Sequence, residues 1–511
     1  MEEFELNLPT FVTSLLSLLL LWCITRRILV KPAGGGLKKL VRPPSPSKLP
    51  IIGNLHQVGS LPHRNLHSLA KKHGPLMLLH FGSVPVLIVS SADSAREIMK
   101  THDLIFANRP AFKAFEKLIY GCTDVVTAPY GEYWRQIKSI LVLQLLSNKR
   151  VQSLRSIREE ETALFVNKIR ESSGEVVNLS AIFAEFTNDG IGRSAFGRRF
   201  SDSENGKKFL RLMMDMMELF GYINIGDFIP WLSWIGRVNG FDKRLDTTAT
   251  EIDQVFESTI QECLQAQKDQ NNGENIMDIL LQIYHPNPNT TADADASIDR
   301  DTLKSLILDL FIGGTDTIST TLEWVMTELL RHPTIMEKLQ GEVREIIKQE
   351  EEEITDDDLE KMHYLKAVVK EALRVHPPLP LLVPRVASKD VQIKGFDISA
   401  GTVVMINAWA IGRDPVSWDD PEKFMPERFL NSSIDFRGLD FELIPFGAGR
   451  RGCPGITFAV VAIELVLANL MHKFDWKLAD GVQGKDLDMN ESPGLTAHRA
   501  LPLLAVASHT K

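Results

Sequence analysis

The chain has 511 residues, and its composition, with 44% hydrophobic and 24% charged residues, is ordinary for a globular protein and excludes wholesale disorder. The formal net charge of -9 argues against a nucleic-acid-binding protein, because such proteins carry a basic domain. No cysteine stands in a C-x-x-C pair, so neither a disulfide framework nor a zinc cluster is expected. The four cysteines are Cys23, Cys122, Cys263 and Cys453.

The N-terminal segment from Leu6 to Thr25 is apolar and carries no charge. As a helix it would span roughly 30 Å, about the hydrocarbon thickness of a bilayer. Glutamates precede the segment and basic residues follow it, so the positive-inside rule places the following residues in the cytosol. The alternative, a cleaved signal peptide, would need positive charge before the apolar run. We therefore predict that residues 1–30 form an uncleaved, single-pass membrane anchor.

Residues 31–60 form a basic, proline-rich linker between this segment and the rest of the chain. Three glycines at 34–36 give a flexible stretch, whereas the prolines between Pro43 and Pro50 fix the backbone and remove hydrogen-bond donors. Such a segment is either an ordinary surface loop or a hinge. Its position between an anchor and a globular body favours a hinge that orients the body on the membrane.

Residues 61–511 are predicted to form one large, mainly α-helical domain with short strands, because no second linker and no repeat divides them. The β-branched run Val84–Val89 predicts a strand, and the polar segment Asn287–Ser297 predicts a loop. Apolar periodicity and capping residues predict helices over Ser91–Lys100, Val151–Arg170 and Asp242–Lys268.

The longest helical pattern runs from Ile298 to Arg331, or roughly 50 Å, enough to cross a whole domain. Near its middle lie the adjacent glycines Gly313 and Gly314, each of which costs on the order of 1 kcal/mol relative to alanine in a helix. One explanation is close packing against another helix. The other is a widened helical turn that leaves a groove for a ligand.

The segment Phe446–Gly455 carries the strongest chemical signal in the sequence. Its glycines permit close approach to a bulky group, and their N–H groups can point at a thiolate on Cys453. An apolar helix that begins after Pro454 would also favour a negative sulfur. The segment matches F-x-x-G-x-R-x-C-x-G at every defined position, and here the sequence resembles the cytochromes P-450.

This resemblance implies a mainly α cytochrome P-450 fold, with about a dozen helices, small β-sheets and haem b between the long helix and the cysteine loop. Cys453 would be the axial iron ligand, whose thiolate favours cleavage of the O–O bond of bound O2. Phe446 and Gly447 would pack beside the haem. The residues expected to contact its propionates are Trp134, Lys138, Arg385 and Arg451, although each of the first three alone could be an ordinary surface side chain.

Two further segments resemble the family. Glu371 and Arg374, three residues apart, would ordinarily be a solvated helix pair. Together with Arg428 in the segment Phe424–Phe429, they resemble the buried triad that fixes the cysteine-side loop.

The glycine-weakened turn resembles the family's oxygen-activation segment. The resemblance gives Asp316 and Thr317 the role of delivering protons to bound dioxygen. Relatives often carry a second hydroxyl after this threonine, but Ile318 stands there in this chain.

The likeness extends from the anchor to the last residues and is greatest to the plant A-type group, family 71, subfamily A. Similar enzymes oxidise small lipophilic plant metabolites, including monoterpenoids, coumarins and indole derivatives. They lie in the endoplasmic reticulum membrane and receive electrons from an NADPH-dependent flavoprotein reductase. The resemblance lines an apolar substrate pocket with Phe112, Phe115, Leu118, Leu310, Gly313, Leu381, Leu382 and Leu495.

Three functions follow as hypotheses. The first is a reductase-dependent monooxygenase that inserts one oxygen atom from O2 into a small lipophilic metabolite. The second is a thiolate-haem isomerase or dehydratase that needs no reductase, and the third is a non-catalytic membrane haem protein. The acid–alcohol pair Asp316–Thr317 favours the first, because it has no use in the other two.

Overall fold

A computed structural model describes residues 17, 40–202, 204–269, 275–284, 297–349 and 354–509. The chain divides into a unit of residues 1–41 and a unit of residues 42–511. The predicted anchor lies outside the described residues apart from Ser17, and so does the predicted loop apart from Ser297. Among the described residues one helix, Ile456–Lys473, is long and apolar enough to cross a membrane, but 61% of it is buried inside the fold.

The larger unit is mainly helical, and twelve of its described helices have eight or more residues. The helices are α1 (Pro62–His73), α2 (Ala92–Arg96), α3 (Lys113–Leu118), α4 (Glu132–Ser139), α5 (Asn148–Ser153), α6 (Arg155–Glu171), α7 (Leu179–Phe196), α8 (Glu204–Gly221), α9 (Ile225–Phe228), α10 (Ile235–Val238), α11 (Phe241–Asp269), α12 (Ile276–Ile283), α13 (Arg300–Phe311), α14 (Thr317–Arg331), α15 (Pro333–Ile346), α16 (Asp356–Lys361), α17 (His363–Val375), α18 (Ala408–Ile411) and α19 (Ile456–Lys473).

Nine short strands form three small sheets in the described residues. The largest has the order β1-β2-β7-β4, in which β2 is antiparallel to β1 and parallel to β7. The others have the orders β3-β9-β8 and β5-β6. The strands are β1 (Leu76–Phe81), β2 (Val84–Val89), β3 (Val176–Asn178), β4 (Arg385–Val386), β5 (Val391–Ile393), β6 (Phe396–Ile398), β7 (Val403–Ile406), β8 (Phe474–Leu478) and β9 (Leu504–His509).

The predicted elements of the body are found with shifted ends. The strand over Val84–Val89 is β2, and the helix predicted over Asp242–Lys268 is α11. The helix predicted over Val151–Arg170 is instead two helices, α5 and α6, because Leu154 leaves helical geometry with a ψ of 9°. The proline-rich segment lies against the first sheet, where the Leu78 N–H donates to the Pro44 carbonyl at 2.9 Å.

The long central helix is found as α13 and α14, joined by a π-helical turn over Ile312–Asp316. The Asp299 side chain caps its start by accepting from the Thr302 N–H at 2.8 Å. Each half packs into a different apolar core. Leu303 to Phe311 belong to a core with α4, α8, α11 and α12, whereas Ile318 to Leu330 belong to one with α6, α15, α17 and α19. The π turn therefore lies where the two cores separate.

Candidate active site

A cavity of about 270 Å³ lies at this separation. The π turn and the cysteine loop both line it. Most of the remaining lining is apolar, but a group of cations lies along one side. The central-helix and cysteine-loop residues at the cavity include Ile312, Gly313, Gly314, Thr317, Phe446, Gly447, Gly452 and Cys453.

Cys453 lies in the cysteine loop directly before α19, and its side chain is open to the cavity although the residue lies deep in the fold. The Cys453 N–H donates to the Phe446 carbonyl at 2.9 Å, which closes the loop on itself. Its Sγ accepts one backbone hydrogen bond, from the Gly455 N–H at the start of α19, at 3.3 Å. Burial nevertheless raises the pKa of the thiol, against the smaller effects of Gly455 and the Lys138 charge. The protein alone therefore favours the neutral sulfur, and a bound metal cation would reverse this preference.

The two glycines of the π turn have different surroundings. A Cβ on Gly314 would lie 2.6 Å from Ile191 Cδ1 on α7, so this glycine permits close helix packing. A Cβ on Gly313 would meet nothing within 4 Å, and this residue borders the cavity. Thr317 also borders the cavity, and its hydroxyl donates to the Gly313 carbonyl at 2.6 Å. Close packing therefore explains Gly314, and the widened turn borders the cavity at both glycines.

Asp316, the other half of the acid–alcohol pair, is ion-paired with a residue that the sequence did not suggest. Its Oδ1 lies 2.8 Å from Nε2 of His498, in the loop before β9. Its Oδ2 lies near the Thr496 hydroxyl but makes no hydrogen bond with the described residues. Burial raises the pKa of Asp316, but the hydrogen bond and charge of His498 outweigh burial and lower it. Asp316 is therefore held in its ionised form.

The predicted propionate contacts Trp134, Lys138, Arg385 and Arg451 lie together on one side of the cavity. In this structure their N–H groups donate to carbonyl and carboxylate oxygens of the protein. The Trp134 indole donates to the Val125 carbonyl at 2.9 Å, and Lys138 donates to the Arg450 carbonyl. Arg385 pairs with Asp103 at 3.2 Å. Arg451 donates to the carbonyls of Ala107, Val125 and Ala128.

A fourth cation, Arg109, joins this group and was not singled out from the sequence. Its guanidinium donates to the carbonyls of Val126, Val383 and Pro384 at 2.6 to 2.8 Å. Burial, followed by repulsion from Arg385 and Arg451, lowers the pKa of Arg109 well below its ordinary value. Burial, followed by repulsion from Arg385, lowers the pKa of Arg451 to about 10. Positive charge is thus in excess beside the cavity, and a bound anion would relieve the excess.

The predicted triad is hydrogen-bonded throughout. Glu371 and Arg374, both on α17 and fully buried, form a two-bond pair at 2.7 and 2.8 Å. Arg428 Nε donates to Glu371 Oε1 at 3.0 Å. The remaining donors of Arg374 reach carbonyls of Gly412, Pro421 and Lys423. In the described residues these bonds end on the segment that leads to the cysteine loop, rather than on the loop itself.

Five of the eight predicted pocket residues line the cavity, namely Phe115, Leu310, Gly313, Leu382 and Leu495. Phe112, Leu118 and Leu381 do not line it, because each packs within an apolar core instead. The cavity is also lined by Met217 and Phe220 from α8, which were not singled out from the sequence. Asp309 lines it too, and burial and the charge of Asp124 raise the pKa of this carboxyl well above its ordinary value.

These residues fit a haem. Cys453 lines the cavity, and so does a turn whose Gly313 leaves open space where a side chain would stand. The buried cations along one side suit the two carboxylates of the porphyrin, and the apolar surface elsewhere suits its ring. Cys453 would hold the iron, and Arg109, Lys138, Arg385 and Arg451 would surround the propionates.

Comparison with known proteins agrees with this site. The family model described as "Cytochrome P450" (P-450) matches residues 43–504. The chain is 55% identical over 499 residues to cytochrome P-450 71A8 of Mentha piperita, covering 97% of this chain and 95% of that protein. It is 50% identical over 471 residues to the tabersonine/lochnericine 19-hydroxylase of Catharanthus roseus, covering 91% of this chain and 92% of that protein.

Among solved structures, a zebra fish cytochrome P-450 with abiraterone superposes with a TM-score of 0.74 at 25% identity, covering 88% of this chain and 99% of that one. This likeness confirms the predicted mainly helical fold with small sheets. The curated relatives confirm the predicted plant group. The chain therefore belongs to the cytochrome P-450 family, is related to its plant family 71, subfamily A, and is an oxidoreductase of the monooxygenase type.

Proposed function

We propose that this protein is an NADPH-reductase-dependent monooxygenase that inserts one oxygen atom of O2 into a small, uncharged, lipophilic plant metabolite. The observation that carries the proposal is that Cys453 and the π turn that precedes Thr317 line the same, largely apolar cavity. A haem bound there supplies the reductive activation of dioxygen. Residues of the chain bind it, position the substrate and provide protons.

Of the two proton-handling residues, Thr317 lines the cavity, and Asp316 is the last residue of the π turn directly before it. Asp316 stays ionised in its ion pair and can therefore accept a proton from outside the cavity. The Thr317 hydroxyl, which donates to the Gly313 carbonyl at rest, can turn toward the cavity and donate there. Neither group has a role in an isomerase or in a passive haem carrier, so their placement favours the oxygenase.

The substrate class follows from the lining of the cavity. Phe115, Phe220, Leu310, Leu382 and Leu495 present apolar surface, so a terpenoid, coumarin or indole-type compound would bury its hydrocarbon skeleton there. The related enzyme of Catharanthus roseus is named as a 19-hydroxylase of tabersonine and lochnericine. We assign this chain to the same broad class of lipophilic substrates.

We further propose a tethered location on the endoplasmic reticulum membrane, with the body in the cytosol. Residues 1–30 would be the anchor, 31–60 the linker and hinge, and 61–511 the catalytic domain. The segment from α9 to α10 supports contact with lipid, because it exposes Trp231, Trp234 and Val238 at 64%, 55% and 77% of their surfaces. Tryptophan at a membrane surface favours the headgroup region.

The test combines the full-length protein with a plant NADPH-dependent flavoprotein reductase in lipid vesicles. Candidate compounds would first be screened for a spin shift of the haem, and binders would be incubated under oxygen-18 gas. We expect product that carries one atom of oxygen-18 and depends on both NADPH and reductase. Product formed from a peroxide without reductase would instead establish the isomerase, and a haem that binds none of the compounds and consumes no NADPH would contradict catalysis.

A further inference from the structure

The loop before β9 is held rigidly beside the π turn of the central helix. The Ala497 N–H donates to the Pro378 carbonyl at 2.9 Å, and the Ala497 carbonyl accepts from the Trp324 indole at 2.7 Å. The Ser492 N–H donates to the His498 carbonyl at 2.9 Å. Backbone bonds therefore fix the chain at His498, and its imidazole has a defined position.

Both nitrogens of the His498 ring are hydrogen-bonded to the central helix. Nε2 lies 2.8 Å from Asp316 Oδ1, and Nδ1 lies 2.9 Å from the Thr320 hydroxyl oxygen. The Thr320 hydroxyl also donates to the Asp316 carbonyl at 2.7 Å. A hydroxyl has one hydrogen, so while it donates to that carbonyl it must accept from Nδ1–H. With an ionised Asp316 accepting from Nε2–H, both ring nitrogens carry protons and His498 is an imidazolium.

The electrostatic surroundings agree with this protonation state. Burial lowers the pKa of His498, but the hydrogen bond and charge of Asp316, with a smaller contribution from Glu323, raise it above its ordinary value. The facing charges are those of Asp316 and Glu323 on the central helix, and Arg499 is next in the chain. The His498 side chain is 37% exposed, whereas that of Asp316 is 21% exposed. The histidine is therefore the member of the pair that reaches water more readily.

We propose that His498 is a proton-relay residue, which keeps Asp316 ionised and transfers to it the proton that oxygenation consumes. In each transfer the Nε2 proton moves to Asp316 Oδ1, which leaves a neutral imidazole and a neutral carboxylic acid. Asp316 then gives the proton up toward the cavity, and the imidazole regains one from water. No electron moves in these steps. The inference rests on the proposed oxygenase function, because only that function consumes protons at the cavity.

The first test measures protonation and does not depend on turnover. Histidine ring carbons would be labelled with carbon-13 in the holoenzyme, kept diamagnetic as the ferrous carbon monoxide complex, and His498 would be titrated by NMR. We expect a pKa above the ordinary value of about 6.5 in the natural chain and a lower pKa in Asp316→Asn, which removes the facing charge. A His498 that titrates at or below about 6.5 in the natural chain overturns the proposal.

The second test measures product formed per NADPH consumed between pH 6 and 9. In the natural chain this yield should fall as pH rises through the pKa of His498, because the imidazolium is lost. His498→Gln, which cannot carry the proton, should lower the yield by about tenfold and remove the pH dependence. His498→Arg keeps the positive charge but cannot release a proton. Its yield of product per NADPH should therefore also be low and independent of pH.

His63→Gln is a matched control, because it breaks another histidine–carboxylate pair, with Glu491 at 2.8 Å, outside the cavity. It should keep the natural yield and pH profile. A His498→Gln protein that also keeps them would overturn the relay, while oxygen-18 incorporation by the natural chain would still support the monooxygenase. Absence of oxygen-18 product in the natural chain would contradict the proposed function itself, whatever the NMR titration shows.

Discussion

Two polar networks, the triad before the cysteine loop and the carboxylates of the central helix, differ in how completely they are hydrogen-bonded. On the cysteine side, the triad of Glu371, Arg374 and Arg428 is completely hydrogen-bonded, and its pair on α17 is fully buried. On the central-helix side, Asp316 Oδ2 and Asp309 Oδ1 are buried without a hydrogen-bond partner among the described residues. A charged network in a low-dielectric interior is rigid when every group is paired, whereas an unpaired group can exchange partners.

This difference matches the separate tasks of the two regions, since one binds a ligand and the other takes part in the reaction. The cysteine side has to hold one ligand in one position, so full pairing suits it. The central-helix side has to move protons, so it requires groups whose hydrogen bonds can be broken and remade at low cost. The changes below test this division, beginning with the largest expected effect.

Cys453→Ala removes the one cysteine that lines the cavity in the described part of the chain, and it should abolish both activity and the red-shifted Soret band of the ferrous carbon monoxide complex. The measurement is a carbon monoxide difference spectrum of the purified protein. Cys263→Ala, at a cysteine outside the cavity, is the control and should keep the band. A Cys453→Ala protein that retains the band would contradict the assignment of the iron ligand.

Arg374→Ala should destabilise the fold by about 3–5 kcal/mol, because it leaves the buried Glu371 carboxylate with a broken pair. The free energy of unfolding would be measured by denaturant titration of the detergent-solubilised holoprotein. Arg155→Ala breaks a half-buried pair with Glu159 on α6 and should cost less than about 1 kcal/mol. Equal losses of unfolding free energy in the two variants would show that the triad stabilises the fold no more than an ordinary ion pair does.

Gly314→Ala and Gly313→Ala, one residue apart, should change the stability of the fold in opposite directions. The first puts a methyl group against Ile191 and should cost about 1 kcal/mol, whereas the second meets open space and should stabilise the helix by roughly 0.5–1 kcal/mol. Thermal unfolding of both variants measures the difference. Adding Ile191→Val, which removes the Cδ1 atom, should rescue Gly314→Ala, and failure to rescue it would contradict the packing explanation.

Thr317→Ala should leave the fold intact but lower the product formed per NADPH by about tenfold, since the hydroxyl donor at the cavity is lost. Oxygen and NADPH consumption would be compared with product yield. Thr327→Ala is the control, because Thr327 makes the same kind of helix hydrogen bond, to the Glu323 carbonyl, in the buried part of α14. An unchanged yield in Thr317→Ala would remove the threonine from proton delivery.

Much of the fold was predictable from periodicity and from one motif. The β-branched run of β2, the long central helix and the apolar helix after Pro454 carry strong local signals. The split between α5 and α6 was missed, because the apolar spacing continues through Leu154 while the backbone does not. The predicted anchor remains a prediction, since it lies outside the described residues.

The site was predictable where its residues belong to one local sequence motif. It was much less predictable where residues from distant segments of the chain meet. The positions of Cys453 and Thr317 at the cavity follow from local motifs. His498 lies far along the chain from Asp316, and its partner depends on how the C-terminal loop packs. Arg109 is similar, because its three acceptors come from two separate segments. Phe112, Leu118 and Leu381 show the converse, since apolar residues near a pocket pack equally well into the core.

The register of the largest sheet has a consequence for biosynthesis. Strand β2 obtains its inner neighbour, β7, only after most of the chain has been made, since Val86 pairs with Val403. Until then the hairpin of β1 and β2 presents an open edge that can pair with other chains. A ribosome that pauses before β7 would therefore leave a nascent chain prone to aggregation, and cells that produce this protein should depend on chaperones throughout that interval.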